Sequence, residues 1–284
     1  MINVEQYDRP DTLKEALELL AKEGAVALAG GTSMSLAKNP SWNSIVDLSD
    51  IEEIQTIEED DEFITIGAMV TMTEIFRHPG NMPCSISAAA RAVSSTPIRN
   101  MTTVGGSLAR SVYWNDLPVA LLSLGASVGL ASAHERRRIS IDELYTSHPS
   151  KVLKSGEIIT DVKVELGKYK TNFIKLARTH VDYALLNVCA SLEVKGNVIA
   201  NARISVGGAV NMARLVIPAG ELLSGQQYSD DLFIKAGETA AESIEYRSDF
   251  RVNREYQKAV TAKLVTRSLR DAWNNCECNE TDGE

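Results

Sequence analysis

The chain has 284 residues, 44% hydrophobic and 24% charged, with a formal net charge of −9. That length holds two compact domains or one large one, and the composition is that of an ordinary globular protein. The acidic balance, without a basic stripe, argues against a nucleic-acid binder, and no stretch reaches the apolar length of a membrane span.

The opening "MINVEQYDRPDTLKEALELL" has neither the basic start nor the apolar run of a signal peptide. Cys84, Cys189, Cys276 and Cys278 are scattered, and their one close pair is a C-x-C in an acidic tail. This is not a disulfide framework, so a reduced, cytoplasmic setting is expected. His78, His134, His148 and His180 lack metal-ligand spacing, so no metal site is expected.

Asp11–Gly24 reads as a helix: Leu13, Ala16, Leu17 and Leu20 fall at helical spacing, Asp11 or Thr12 can cap the start, and Gly24 suits the end. "AVALAG" (25–30) is a short buried strand, and "NSIVDLSDI" (43–51) contains another, which makes a small α/β unit. After an acidic turn, "FITIGAMVT" alternates as a strand, and "TMTEIFRHP" and "SISAAARAVSS" read as helices. "DLPVALLSLGASVGLAS" (116–132) is a helix then a strand, broken near Gly125. The basic run Arg136–Arg138 reads as a solvated turn leading into a strand and a short helix, and "EIITDVKVEL" (157–166) as a strand. From Lys168 three strands form an antiparallel meander, with a hairpin at "VKGNV" where Gly196 and Asn197 supply positive φ. Gly207-Gly208 ends the last of them as a bulge or turn, and the remainder is helical before an acidic tail.

Two segments share one device, a strand, then Gly-Gly, then a hydroxyl: "ALAGGTSMSL" (27–36) and "TTVGGSLAR" (102–110). Paired glycines after a strand let backbone N–H groups approach a ligand closely, and phosphates are the usual ligand. No lysine follows the glycines as in a Walker loop, and the spacing is not that of a Rossmann fingerprint. Two such loops could grip a pyrophosphate from two sides.

The ordered series "LAGGTSM", "IVDLSDI", "ITIGAMVTMTEI" and "TPIRNMTTVGGSLARSVYWNDLPVALLSLGA", followed by "FIKLARTHVDYALLNVCASLEV" and "SVGGAVNMARLVIPAGELLSG", resembles the flavoprotein family of the molybdenum hydroxylases. Its members are the FAD-binding subunits or domains of xanthine, carbon monoxide and nicotinate dehydrogenases, and the resemblance covers nearly the whole chain. It implies an α+β fold. A two-part FAD-binding domain would span 1–167, as a small α/β lobe (1–56) and a larger mixed lobe (57–167). A C-terminal antiparallel sheet with helices would span 168–273, and 274–284 would be a disordered tail.

The resemblance implies that Ala27, Leu28, Ala29, Gly30, Gly31, Thr32, Ser33 and Met34 wrap the FAD pyrophosphate, with further contacts from Thr103, Val104, Gly105, Gly106 and Ser107. Asp116 would accept bonds from a cofactor hydroxyl, Ile159 would lie against the cofactor, Lys175 would stand near the flavin, and Ser94 would add a contact. The chain departs from the family with Gly-Gly-Ser for the commoner Gly-Gly-Asn, with Ser33 for Asp, and with Tyr113 and Trp114 where proline and small residues are commoner. Arg99 reads as a brace to loop carbonyls, and Tyr183 either as packing or as a stacking partner for the flavin.

The implied role is an electron-transfer subunit taking electrons from an iron–sulfur partner and passing them to NAD or another acceptor. The chain lacks the cysteine runs of a [2Fe–2S] cluster, so iron–sulfur and molybdopterin subunits would be separate partners. An alternative is a non-catalytic scaffold that has lost FAD. A phosphate-binding transferase ranks last, because no Lys or Arg stands beside the first loop.

Overall fold

The computed structural model describes residues 4–34 and 42–274. Except for Asn274, the expected tail lies outside them.

Helix α1 (Leu13–Leu20) starts where Thr12 Oγ1 accepts from the Glu15 N–H at 3.2 Å, and it buries Leu13, Ala16, Leu17 and Leu20. It packs on a three-stranded parallel sheet ordered β1 (Gln6–Asp8), β3 (Ser44–Asp47), β2 (Ala25–Leu28). The sequence did not indicate β1, which is three residues long and exists through pairing with β3.

The next sheet has five antiparallel strands in the order β4 (Ile57–Glu59), β5 (Phe63–Gly67), β8 (Ile158–Glu165), β6 (Ser127–Ala131), β7 (Arg136–Ser140). Helices α2 (Met72–Arg77), α3 (Cys84–Arg91), α4 (Thr96–Arg99), α5 (Val104–Arg110) and α6 (Leu117–Leu124) follow β5, and α7 (Ile141–Leu144) follows β7. Thr71 and Glu74 close a reciprocal capping box on α2. Every residue of α6 is buried, which places it inside the core between this sheet and the next. The Arg136–Arg138 run lies in strand β7 rather than in a turn, because its backbone pairs antiparallel with Gly129–Ala131 of β6; Arg136 and Arg138 are exposed, and Arg137 reaches Glu157 through two 2.8 Å bonds.

The last sheet runs β12 (Arg214–Leu215), β11 (Val198–Gly207), β10 (Leu186–Lys195), β9 (Lys170–Leu176), all antiparallel. Its apolar face is covered by α8 (Ile217–Leu223), α9 (Asp230–Ser243) and α10 (Arg254–Asn274). In the β10–β11 hairpin only Gly196 has positive φ, +62°, and not Asn197. That matches a turn asking for left-handed backbone at its first central position alone. Gly207 closes β11 and Gly208 turns the chain at φ +73°.

The second glycine pair differs from its reading as a turn after a strand. Gly105 and Gly106 lie inside the first turn of α5, and Thr103 Oγ1 caps Gly106 N at 3.2 Å. A Cβ on Gly105 would stand 2.9 Å from Ala68 Cβ, so the helix start needs a bare Cα to press against the segment after β5.

Candidate functional site

β2 ends at Leu28 and delivers Ala29, Gly30 and Gly31 to the carboxyl end of the parallel sheet, the usual place for a ligand in such a unit. A Cβ on Gly30 would fall 1.4 Å from the Met101 carbonyl oxygen, and Gly31 turns at φ +71°. The two glycine segments therefore lie against each other and form one wall of a cleft of about 420 Å³. That volume lies within the range of small-molecule and cofactor sites.

The α5 amides do not point at this cleft as free donors. Val104 N bonds Val70 O at 3.0 Å, Gly105 N bonds Ala68 O at 2.8 Å, and Ser107 N bonds Thr103 O at 2.9 Å. With Gly106 N capped, this segment offers the Thr103 and Ser107 side chains and the bare Gly106 Cα, all of which line the cleft.

Charged side chains build another part of the lining. Lys175, on β9, donates from Nζ to Asp116 Oδ2 at 2.9 Å and to the Ala92 carbonyl, beyond α3, at 2.8 Å. Asn187, on β10, donates from Nδ2 to Asp116 Oδ1 at 2.9 Å and to Asn115 O at 3.2 Å. Asp116 is only 3% exposed. Burial pushes its carboxyl above the ordinary range, against the pull of the Lys175 ammonium and the Asn187 amide. Asn187 Oδ1 is buried without a partner, wedged beside Gly207.

Aromatic rings close the rim. Trp114 stacks on Tyr183 with centroids 4.5 Å apart and planes tilted 33°, and both line the cleft. Ser94, at φ +24°, lines it as well and donates to Val181 O at 3.4 Å. Arg99 braces this rim, donating from Nη1 to Val93 O at 3.0 Å and Ser94 O at 3.1 Å.

All the residues expected at the cofactor line this cleft except Val104, Gly105 and Ile159. Val104 and Ile159 are core residues, 1% and 4% exposed, and Gly105 is spent on Ala68. Sequence reasoning missed Asn187, which holds Asp116, and Asn115, whose carbonyl accepts from Asn187 and whose side chain donates to Ser107 O, and also Trp42, Arg110 and Asp182 in the lining. Asn115 sat beside Asp116 in "YWNDL" and could have been found; Asn187, on a strand 71 residues further on, carried no signal.

A cleft at a sheet's carboxyl ends, lined by glycine backbone and by a buried ion pair, is the kind of place where α/β proteins hold small molecules and cofactors. The comparisons with known proteins say which. Residues 3–164 match the family described as FAD binding domain in molybdopterin dehydrogenase, and residues 171–272 match the CO dehydrogenase flavoprotein C-terminal domain. The chain belongs to this family of FAD-binding molybdenum hydroxylase subunits: it is an FAD-dependent oxidoreductase subunit, and its cofactor is FAD.

The chain is 32% identical to the nicotine 6-hydroxylase medium subunit of Paenarthrobacter nicotinovorans, over 94% of this chain and 96% of that one. It is 26% identical to the glyceraldehyde dehydrogenase medium chain of Sulfolobus acidocaldarius, over 93% and 97%. Among solved structures, a reconstituted CO dehydrogenase from Oligotropha carboxidovorans superposes with a TM-score of 0.87 at 26% identity, covering 96% of this chain and 99% of that chain. The α+β class implied by the sequence is the observed one.

Proposed function

We propose that this cleft is the FAD site and that the chain works in the cytoplasm as the flavin-bearing electron carrier of a larger assembly. It takes electrons from an iron–sulfur subunit, itself reduced by a molybdopterin subunit, and passes them to NAD or another acceptor. Bound FAD supplies the redox chemistry, accepting electrons singly and releasing them in pairs.

The observation that carries this reading is the pairing of a glycine surface and a fixed charge in one cleft. Gly30 and Gly31 keep a Cβ-free surface for close approach, and the Thr103 and Ser107 hydroxyls can donate to anionic oxygens. Lys175 holds a positive charge in the same lining, fixed by Asp116 and Ala92, where it can favour negative charge on a reduced ring system. Asp116 keeps one side chain bond each from Lys175 and Asn187 and has further lone pairs for a cofactor hydroxyl. The relatives named as medium subunits or chains support a role beside other subunits.

The test is anaerobic mixing of the purified chain, loaded with FAD, with the reduced iron–sulfur subunit. The flavin absorbance should bleach and return when NAD⁺ or a dye acceptor is added. Gly31→Asp should abolish flavin binding. A flavin that stays oxidised contradicts electron transfer, and a chain that takes up no added FAD leaves the scaffold reading.

A further inference from the structure

A circuit of contacts closes on itself beside the cleft. Asp249, in the turn between α9 and α10, has a side chain only 2% exposed and pairs with two guanidiniums, Arg251 Nη2 at 2.7 Å and Arg247 Nη1 at 3.1 Å. Arg251 then holds the loop between β9 and β10: Nη1 donates to Tyr183 O at 3.0 Å and Nη2 to Ala184 O at 3.2 Å. Arg247 lies over the Tyr113 ring, 3.6 Å from its centroid. Tyr113 meets Trp114 edge-on at 4.5 Å, and Trp114 stacks on Tyr183. The path returns to the residue whose carbonyl Arg251 holds. Trp114 and Tyr183 line the cleft, whereas Asp249, Arg247 and Arg251 do not.

We propose that Asp249 is a positioning residue for the cofactor: through Arg247 and Arg251 it fixes the Trp114–Tyr183 wall, and that wall sets the affinity and the reduction potential of the bound isoalloxazine. The inference rests on the FAD reading of the cleft. Tyr183 is 52% exposed and sits on an irregular loop, so packing alone does not hold its ring. Its backbone is gripped by Arg251 and its ring by Trp114, and both grips lead to one buried carboxylate. Removing that carboxylate leaves two cations facing each other and releases both grips together.

The experiment uses the full chain with Asp249→Asn, Tyr113→Leu, Tyr183→Leu and the double variant Asp249→Asn/Tyr183→Leu. FAD affinity is measured by titration, the potential of bound flavin by redox titration, and folding by circular dichroism. Asp249→Asn and Tyr113→Leu should each weaken FAD binding by about tenfold and shift the potential, and Asp249→Asn should add nothing to Tyr183→Leu. Wild-type affinity and potential in the folded single variants overturn the proposal, as do effects that add in the double variant. A weaker affinity with an unchanged potential also overturns it, because the wall would then face the adenine end. If Asp249→Asn does not fold, Tyr113→Leu carries the test, since it cuts the circuit at the ring under Arg247 and leaves the Asp249 carboxylate in place to pair with both guanidiniums. If the wild-type chain takes up no FAD, the cofactor reading has failed. The brace is then read separately, as several-fold faster tryptic cleavage at exposed Arg178 in Asp249→Asn.

Discussion

The glycine part of the cleft is made of backbone from two short segments, whereas the Lys175 part is made of side chains gathered from Asp116, Lys175 and Asn187 around the Ala92 carbonyl. The first is a steric construction: Gly30 fits the Met101 carbonyl because nothing projects from it. The second is electrostatic, a buried ammonium and carboxylate that tolerate burial only together. The two parts should therefore fail differently, one independently of pH and the other with a clear dependence on it.

The largest expected effect is in the charged part. Lys175→Met leaves the Asp116 carboxylate buried with Asn187 as its one side-chain donor, and should cost about 3–5 kcal/mol of stability near neutral pH. Asp116 already sits above the ordinary carboxyl value through burial, and loss of the ammonium raises it further. An acid whose folded pKa is raised stabilises the fold in its protonated form; that contribution is complete below the unfolded pKa and is lost as pH rises through the folded one. Thermal melts at about pH 5 and about pH 8 should show the deficit shrinking at the lower pH, and Asp116→Asn should restore much of it. A deficit independent of pH breaks the contrast between the two parts.

In the glycine part, Gly30→Val drives a side chain into the Met101 carbonyl and should cost about 3 kcal/mol, together with the loss of bound flavin. Its deficit should be the same at both pH values. A Gly30→Val chain that melts normally and stays yellow would contradict the packing of the two loops.

Asp249 sharpens the comparison, because it is a buried carboxylate of the opposite kind. Arg251 and Arg247 hold it down at about 2, against an ordinary 3.8. Its contribution is present above the ordinary value and is lost as pH falls through the folded one, so it is worth roughly 2 kcal/mol near neutral pH. Acid titration of stability should show a steep limb in the wild type that is flattened in Asp249→Asn.

The smallest effect is expected at Gly196, which also has positive φ but open space around it. Gly196→Ala should cost about 1 kcal/mol and leave flavin content untouched. Loss of flavin there would mean that left-handed strain, and not contact between the loops, explains the glycine part.

Legibility followed the same division. Ala27–Met34 could be found from the sequence because a strand, two glycines and a hydroxyl are contiguous, and its residues do line the cleft. The second segment was found but misread, since two glycines lower helix propensity, yet the Thr103 cap and the close fit of Gly105 to Ala68 start a helix there. Two of its amides went to Val70 and Ala68, a tertiary outcome with no local signature, while Thr103 took two more as an ordinary helix cap. Asp116 and Lys175 were reached by resemblance, but their 2.9 Å pairing and the part of Asn187 depend on how β9 packs on α3 and β10 on α6. Ile159 was reached by resemblance alone; in β8 its side chain is buried in the core beside the five-stranded sheet and stands outside the cleft lining.

The most direct test of the cleft as the cofactor site is a crystal structure of the chain with FAD. The account predicts pyrophosphate density between Gly30-Gly31 and the Thr103–Ser107 segment, with the isoalloxazine beside Lys175 and the Trp114–Tyr183 wall. FAD bound elsewhere, or with its phosphates against Lys175, would contradict it.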